Sequence, residues 1–378
     1  MKIAIVCDVL GEENNGTTIA AMNLIRSLKN KGHEVRVICN DEEKKGVEGF
    51  YIVPELNIPI ITSIVHRNGV KLSKVDKKVI YQALKDVDHV HLLIPFSLSR
   101  CAVKYCLSHN ISMSSSFHAQ AENFTSHLGM MKCPLANKIF YKNCYKAVYR
   151  HVDMIHYPTQ FIKDEFESFV GSTKGIVISN GVNSIYCKKE VTRKEEYQGK
   201  FVILNIGRLC AEKNQKVLIK AIALSKYKQK IHLVLAGKGP DKNKILKLAR
   251  KLGVSIETNF YSREELVNII NQADLYCHPS EMEIEAISCI EAISCGLVPL
   301  IADSKKSATR YFALDSKSLF KNNDENDLSK KIDYWIEHDD EKKEYEEKYL
   351  KTSLRFDQNY CMDQMEKMII SLVKKVKV

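Results

Sequence analysis

KIAIVCDVLGEENNGTTIAAMNLIRSLKNKGHEVRVICN, residues 2–40, is the stretch that decides the fold class. Its opening segment, 2–9, is a short apolar run rich in β-branched residues, the pattern of a strand buried on both faces in a parallel sheet. A Gly/Asn-rich loop follows. Residues 18–32 then space their apolar side chains as an amphipathic helix and close on Gly32, a residue suited to the left-handed turn that ends helices. HEVRVICN (33–40) returns to strand character. Strand, loop, helix and strand within about forty residues form a βαβ unit, right-handed by default.

Outward from this unit the pattern repeats. DHVHLLIP (88–95), ISMSSSFH (111–118) and DMIHYPT (153–159) read as strands, with a long helix predicted over 134–152. After the charged stretch KKEVTRKEEYQGK (188–200), a surface connection, a second series begins. FVILNIG (201–207), IHLVLAG (231–237) and DLYCHPS (274–280) are its strands, with helical segments between them. The expected fold class is α/β: two consecutive Rossmann-like, doubly wound parallel-sheet domains. A length of 378 residues suits two domains, each able to bury its own core.

Composition narrows the function. The first residues lack the charged region, apolar stretch and cleavage site of a secretory signal, and no run approaches the length of a transmembrane helix. Twelve cysteines without a CxxC pair, scattered through apolar segments, argue against a disulfide framework or a structural zinc site and point to a cytoplasmic protein. The net charge of +11 favours an anionic partner: nucleic acid, a membrane surface or a phosphorylated substrate. Nucleic acid is disfavoured, since no zinc finger or RNP-like aromatic motif is present. A nicotinamide oxidoreductase is disfavoured because the loop after the first strand lacks GxGxxG.

Three segments carry candidate chemistry. Loop 11–16 places Gly11 and Gly16 before a helix start, where glycine lets a phosphate approach the backbone. In NIGRLCAEKNQ (205–215), Arg208 follows a strand at the carboxyl edge of a parallel sheet and Lys213 lies beside the next helix start; two cations there suit a diphosphate. SEMEIEAISCIEAISCGLVP (280–299) sets Glu283 in the loop after a strand and Glu291 on the following helix. Carboxylates accept from sugar and ribose hydroxyls. The backbone N–H groups near Ile287 and Ser288 face where a phosphate would sit. Spacing alone does not set Glu281 and Glu285 aside.

These residues resemble the retaining GT-B glycosyltransferases of family four, also called group one, along the whole length of the chain. The marks are the Gly loop at 11–16, His118 after a strand, SNGVN (179–183), GRLCAEKN (207–214), AGKGP (236–240), and Glu283-x7-Glu291 followed by AISCGLVP. The resemblance implies two domains facing a cleft: residues 1–175, on the acceptor side, and 176–354, binding the nucleotide-sugar, with helix 355–378 packed back on the first. It implies that Arg208 and Lys213 bind the donor diphosphate, that Glu291 holds the ribose and Glu283 the sugar hydroxyls, and that His118 lies beside the reacting centre. Gly16, Ile287 and Ser288 complete the donor-binding set. No metal and no cofactor are expected; UDP is the expected donor nucleotide, and retention the expected stereochemistry. His127 and Glu122 are weaker candidates in the loop after His118. The chain departs from the family at Ile284-Glu285-Ala286, in place of Pro-Phe-Gly, which puts the backbone contacts to the phosphates in question, and at Ser179.

Segment 134–153 spaces Lys138, Lys142, Lys146 and Arg150 by four beside aromatic and apolar residues. One basic stripe of that kind suits a peripheral position on an anionic membrane and a lipid or lipid-linked acceptor. A polysaccharide or small soluble acceptor, and a non-catalytic nucleotide-binding partner subunit, are the alternatives.

Overall fold

The computed structural model describes residues 1–8, 10, 16–56, 72–118, 120–121 and 133–376. The chain divides into two compact units, Met1–Asn180 with Asn359–Val378, and Gly181–Gln358.

In the first unit the described elements are β1 (Lys2–Val6), α1 (Gly16–Asn30), β2 (Glu34–Cys39), β3 (Phe50–Ile52), α2 (Lys77–Leu84), β4 (His89–Leu92), α3 (Ser97–His109), β5 (Ser112–Ser116), α4 (Pro134–Ala147), β6 (Met154–Tyr157), α5 (Gln160–Val170) and β7 (Gly175–Val177). The strands form one sheet in the order β3-β2-β1-β4-β5-β6-β7, every pair parallel. Strand order reverses between β1 and β4, so the ligand crevice of such a sheet lies beyond their carboxyl ends. Ile3 and Ile5 of β1, Leu24 and Ile25 of α1, and Val35 and Val37 of β2 share one buried cluster.

The centre of this sheet is polar. HVHL of β4 and SMSSS of β5 are wholly buried, and they satisfy one another. The parallel register sets His89 opposite Ser112 and His91 opposite Ser114. His89 bonds Ser112 and Ser114 at 2.8 and 2.7 Å, and His91 bonds Ser114 and Ser116 at 2.8 and 2.9 Å. Ser116 meets His156 Nδ1 at 2.8 Å, and His156 Nε2 donates to the Ile178 carbonyl at 2.6 Å. Burial disfavours the imidazolium form throughout. It lowers His89 to about 3 and His156 to about 4, and drives His91 well below its ordinary value with help from His156 and His89.

Helix α4 is shorter than the predicted 134–152. It starts on Pro134, where a missing N–H costs nothing, and ends at Ala147; Val148 leaves helical geometry and Tyr149–His151 form a 3₁₀ turn. Tyr149 is buried against Phe117, with ring centroids 5.2 Å apart. Packing, not local propensity, ends the helix.

The second unit contains β8 (Phe201–Ile206), α6 (Gln215–Leu224), β9 (Ile231–Ala236), α7 (Lys242–Leu252), β10 (Ile256–Asn259), α8 (Arg263–Ile270), β11 (Leu275–His278), α9 (Ile287–Ser294), β12 (Pro299–Asp303), β13 (Leu319–Lys321), α10 (Glu325–Glu337) and α11 (Asp339–Ser353). Its parallel sheet runs β10-β9-β8-β11-β12-β13. The order reverses between β8 and β11. Ile203, Leu204, Leu233, Leu235, Tyr276, Ile290, Leu300 and Trp335 lie in its core. Each fully buried aliphatic side chain contributes ~1.5–3 kcal/mol of transfer free energy.

The last helix, α12 (Gln358–Val376), returns to the first unit's core with Met362, Met365, Met368, Ile369 and Leu372. Lys31 pairs with Asp363 and, at 2.7 Å, with Glu366, which also meets His33 Nε2 at 2.8 Å.

Candidate active site

At the switch point of the second sheet, the loop after β8 is stitched to the loop after β9. Gly207 N–H donates to the Ala236 carbonyl at 3.0 Å, Leu209 N–H to Lys238 at 2.9 Å, and Asp241 N–H to Leu209 at 3.0 Å. Contact is so close that a Cβ on Gly237 would stand 1.9 Å from the Gly207 carbonyl oxygen, and one on Gly239 2.3 Å from that of Leu209. The two glycines of AGKGP therefore hold the backbone that carries Arg208. The Arg208 side chain is 52% exposed and touches Glu212 at 2.5 Å. Lys213 ends a 3₁₀ turn, after which Asn214 takes a left-handed conformation (φ 53°) and starts α6.

Lys213 Nζ pairs with Glu283 Oε1, which also lies 3.0 Å from His278 Nε2. Burial alone would raise the Glu283 carboxyl. The Lys213 charge and the hydrogen bond and charge of His278 outweigh it and hold the group below the usual carboxylate range. Glu291 has the opposite fate. Burial raises it to about 7, only partly offset by a hydrogen bond from Tyr186 and the charge of Arg263. One carboxylate is locked in its ionised form and the other titrates near neutrality. The two remaining glutamates are distinguished as well: Glu281 accepts from Asn323, and Glu285 is buried.

Ala286, immediately before α9, has φ 59° and ψ 65°, a left-handed conformation unusual for a residue with a Cβ. This position stands where the resemblance has glycine. The backbone keeps the glycine conformation although the side chain is alanine. Ala286 supplies no side-chain cap, so Ile287 and Ser288 open the helix without one.

In the first unit, His118 lies just beyond β5. Its Nε2 is buried without a hydrogen-bond partner, and burial, aided by His156, lowers the imidazole to about 3. Asp8, which the sequence reading did not single out, stands past β1 at this sheet's switch point. It is fully buried; its Oδ1 accepts from Ser97 and from Leu98 N–H at 3.3 and 3.4 Å, while its Oδ2 has no partner. Burial raises it to about 7. The signal available was an acidic residue ending the first apolar strand. Gly16 is the first residue of α1, with open space where a Cβ would be. Gly11, Glu122 and His127 lie outside the described residues. Lys138, Lys142 and Lys146 are exposed on α4 next to exposed Leu135 and Ile139; Arg150 is exposed on the 3₁₀ turn, so the helical stripe holds three lysines and not four cations.

Residues 188–352 match the family described as glycosyl transferases group 1, and residues 14–184 match glycosyltransferase family 4. The chain belongs to the family 4, group 1 glycosyltransferases. This glycosyltransferase is 22% identical over 321 residues to the alpha-monoglucosyldiacylglycerol synthase of Streptococcus pneumoniae, covering 80% of this chain and 71% of that protein. It is 26% identical over 314 residues to a GDP-mannose-dependent alpha-mannosyltransferase of Corynebacterium glutamicum, covering 80% and 72%. Anabaena HepE in complex with UDP and glucose superposes with TM-score 0.76 at 14% identity, covering 98% of this chain and 100% of the other. The fold is GT-B, two Rossmann-like parallel-sheet domains.

Proposed function

We propose that this glycosyltransferase moves a hexose from a UDP-sugar to a lipid or lipid-linked acceptor with retention of anomeric configuration. The observation that carries the reading is the ionised Glu283–Lys213 pair beside exposed Arg208, at the switch point where ligands of such sheets bind. Arg208 and Lys213 neutralise the charge that builds on the departing diphosphate, and the N–H groups of Ile287 and Ser288 add the helix dipole. Glu283 takes the sugar hydroxyls, and Glu291 the ribose. His118 serves the acceptor side, as a neutral imidazole. Protein cations take the place of a metal. A lipid acceptor is supported by the name of the pneumococcal relative and by Leu135 and Ile139 lying exposed among the α4 lysines, each basic residue being worth ~1 kcal/mol at an anionic surface. No helix among the described residues is long and apolar enough to cross a membrane, and peripheral contact is the mode this reading assigns.

The test is a transfer assay in EDTA with UDP-glucose, UDP-galactose or GDP-mannose, and diacylglycerol in anionic vesicles or soluble glycan as acceptor. Transfer from a UDP-hexose to lipid, with an α-linked product by proton coupling constants, is expected. Turnover with GDP-mannose alone would overturn the donor assignment, turnover on soluble glycan alone the acceptor assignment, and a β-linked product the retention.

A further inference from the structure

We propose that His278 and Tyr276 are positioning residues that aim the Ser288 hydroxyl at the donor diphosphate and tie that aim to the sugar-binding carboxylate Glu283. The inference rests on the donor-site reading above. Residues 276 and 278 are two apart on β11, so their side chains share a face of the sheet. Both are buried, at 0% and 1% exposure. Together they form an unbroken polar chain: Glu283 Oε1 to His278 Nε2 at 3.0 Å, His278 Nδ1 to Tyr276 Oη at 2.8 Å, and Tyr276 Oη to Ser288 Oγ at 3.3 Å. The chain runs from the loop that carries the carboxylate to the first turn of α9.

The protons available to these four side chains allow two arrangements. An ionised carboxylate only accepts, so the proton between Glu283 and His278 sits on Nε2. Tyr276 has a single proton. With a neutral imidazole, that proton goes to Nδ1, Ser288 must donate to Tyr276, and Ser288 presents only lone pairs to its surroundings. With an imidazolium, Nδ1–H donates to Tyr276, Tyr276 donates to Ser288, and the Ser288 proton is free for an incoming acceptor. A diphosphate oxygen at the start of α9 selects the second arrangement. Sugar and phosphate recognition are thereby joined through a buried strand.

Calorimetry on the full chain tests this with UDP and GDP as probes, and ligand-observed NMR with the corresponding nucleoside. Tyr276→Phe and Ser288→Ala should each weaken nucleoside diphosphate binding about tenfold, and the double variant no more than the worse single one. Nucleoside binding should stay within about twofold, and Ser288→Thr should restore the diphosphate affinity. His278→Gln should also lower kcat, because Glu283 keeps only one of its two partners, Lys213, whereas Tyr276→Phe acts through KM. A folded Tyr276→Phe protein that binds diphosphate like the wild type, or single losses that multiply in the double variant, would sink this inference and leave the donor site intact. A wild-type protein that binds neither diphosphate would take the donor-site reading down with it.

Discussion

Acidification should loosen the first unit far more than the second. His89, His91, His118 and His156 are all held neutral in the folded state, lowered to about 3 for His89 and His118, to about 4 for His156, and well below normal for His91. In the unfolded chain each takes a proton near the ordinary histidine value of 6.5. The unfolded state therefore binds more protons below that value, and stability is complete above it and lost as pH falls toward about 4. From about pH 7.5 to about pH 5.5 each imidazole costs ~1.4 kcal/mol, so the four together cost ~5 kcal/mol. Asp8 opposes them. Its folded value is raised from 3.8 to about 7, so it gains protons in the folded state first and returns ~2 kcal/mol over the same interval. The net loss is ~3 kcal/mol, a large part of an ordinary domain's 5–15 kcal/mol. Urea unfolding at both pH values measures it. Circular dichroism follows both units, and fluorescence of the single tryptophan, Trp335, follows the second. Glu291, raised to about 7, makes acid favour the second unit, so the Trp335 transition should hold or rise. Equal urea midpoints for the first unit at the two pH values would refute the reasoning, because at least one member of the imidazole ladder would then have to be charged in the fold.

The other expectations concern the donor site. Arg208→Ala and Lys213→Ala should each lower kcat ~10²–10³-fold and raise KM, with circular dichroism unchanged; Arg208→Lys should not restore the rate, since a point charge lacks the planar fork. Glu291→Gln should weaken binding of the bare nucleoside diphosphate while changing stability little near neutrality, where Gln resembles the half-protonated acid. Glu283→Gln should spare that binding and cut turnover; calorimetry showing equal losses for both would reverse the assignment. Ala286→Gly should raise stability by ~0.5–1 kcal/mol, from relief of a left-handed alanine less the entropy of an added glycine, read as a higher urea midpoint with an unchanged slope.

Apolar runs made the second sheet and the opening βαβ unit of the first legible from the sequence, because burial on two faces leaves a continuous β-branched run. The motif residues of the second unit were legible for the same reason: Arg208 and Glu283 follow strands and thus fall at a sheet edge. What was hidden depends on pairing across long separations. The Ser/His ladder needs the register of β4 against β5, and HVHL or SMSSS read alone says only strand. Tyr186 and Glu291 are far apart in sequence and meet through the fold. The role of Ala286 was concealed because its residue type argues against the conformation it adopts. The end of α4 follows from Tyr149 packing on Phe117, a contact no local propensity encodes. By contrast, Tyr276 and His278 lie two apart in a strand that leads directly to Glu283, and that spacing was on view.

Helix α12 has a consequence for how the protein is made. Residues 181–358 are contiguous and can close their core as soon as they leave the ribosome. The first unit cannot, although it is synthesised earlier. Ile3, Ile5, Leu24 and Val37 wait for Met362, Met365, Ile369 and Leu372, and Lys31 waits for Asp363 and Glu366. At elongation rates of about 5–20 residues per second, the interval between emergence of β1 and arrival of its covering helix is on the order of tens of seconds. Through that time an apolar face stays open on the nascent chain, so chaperone demand falls on the half that was translated first.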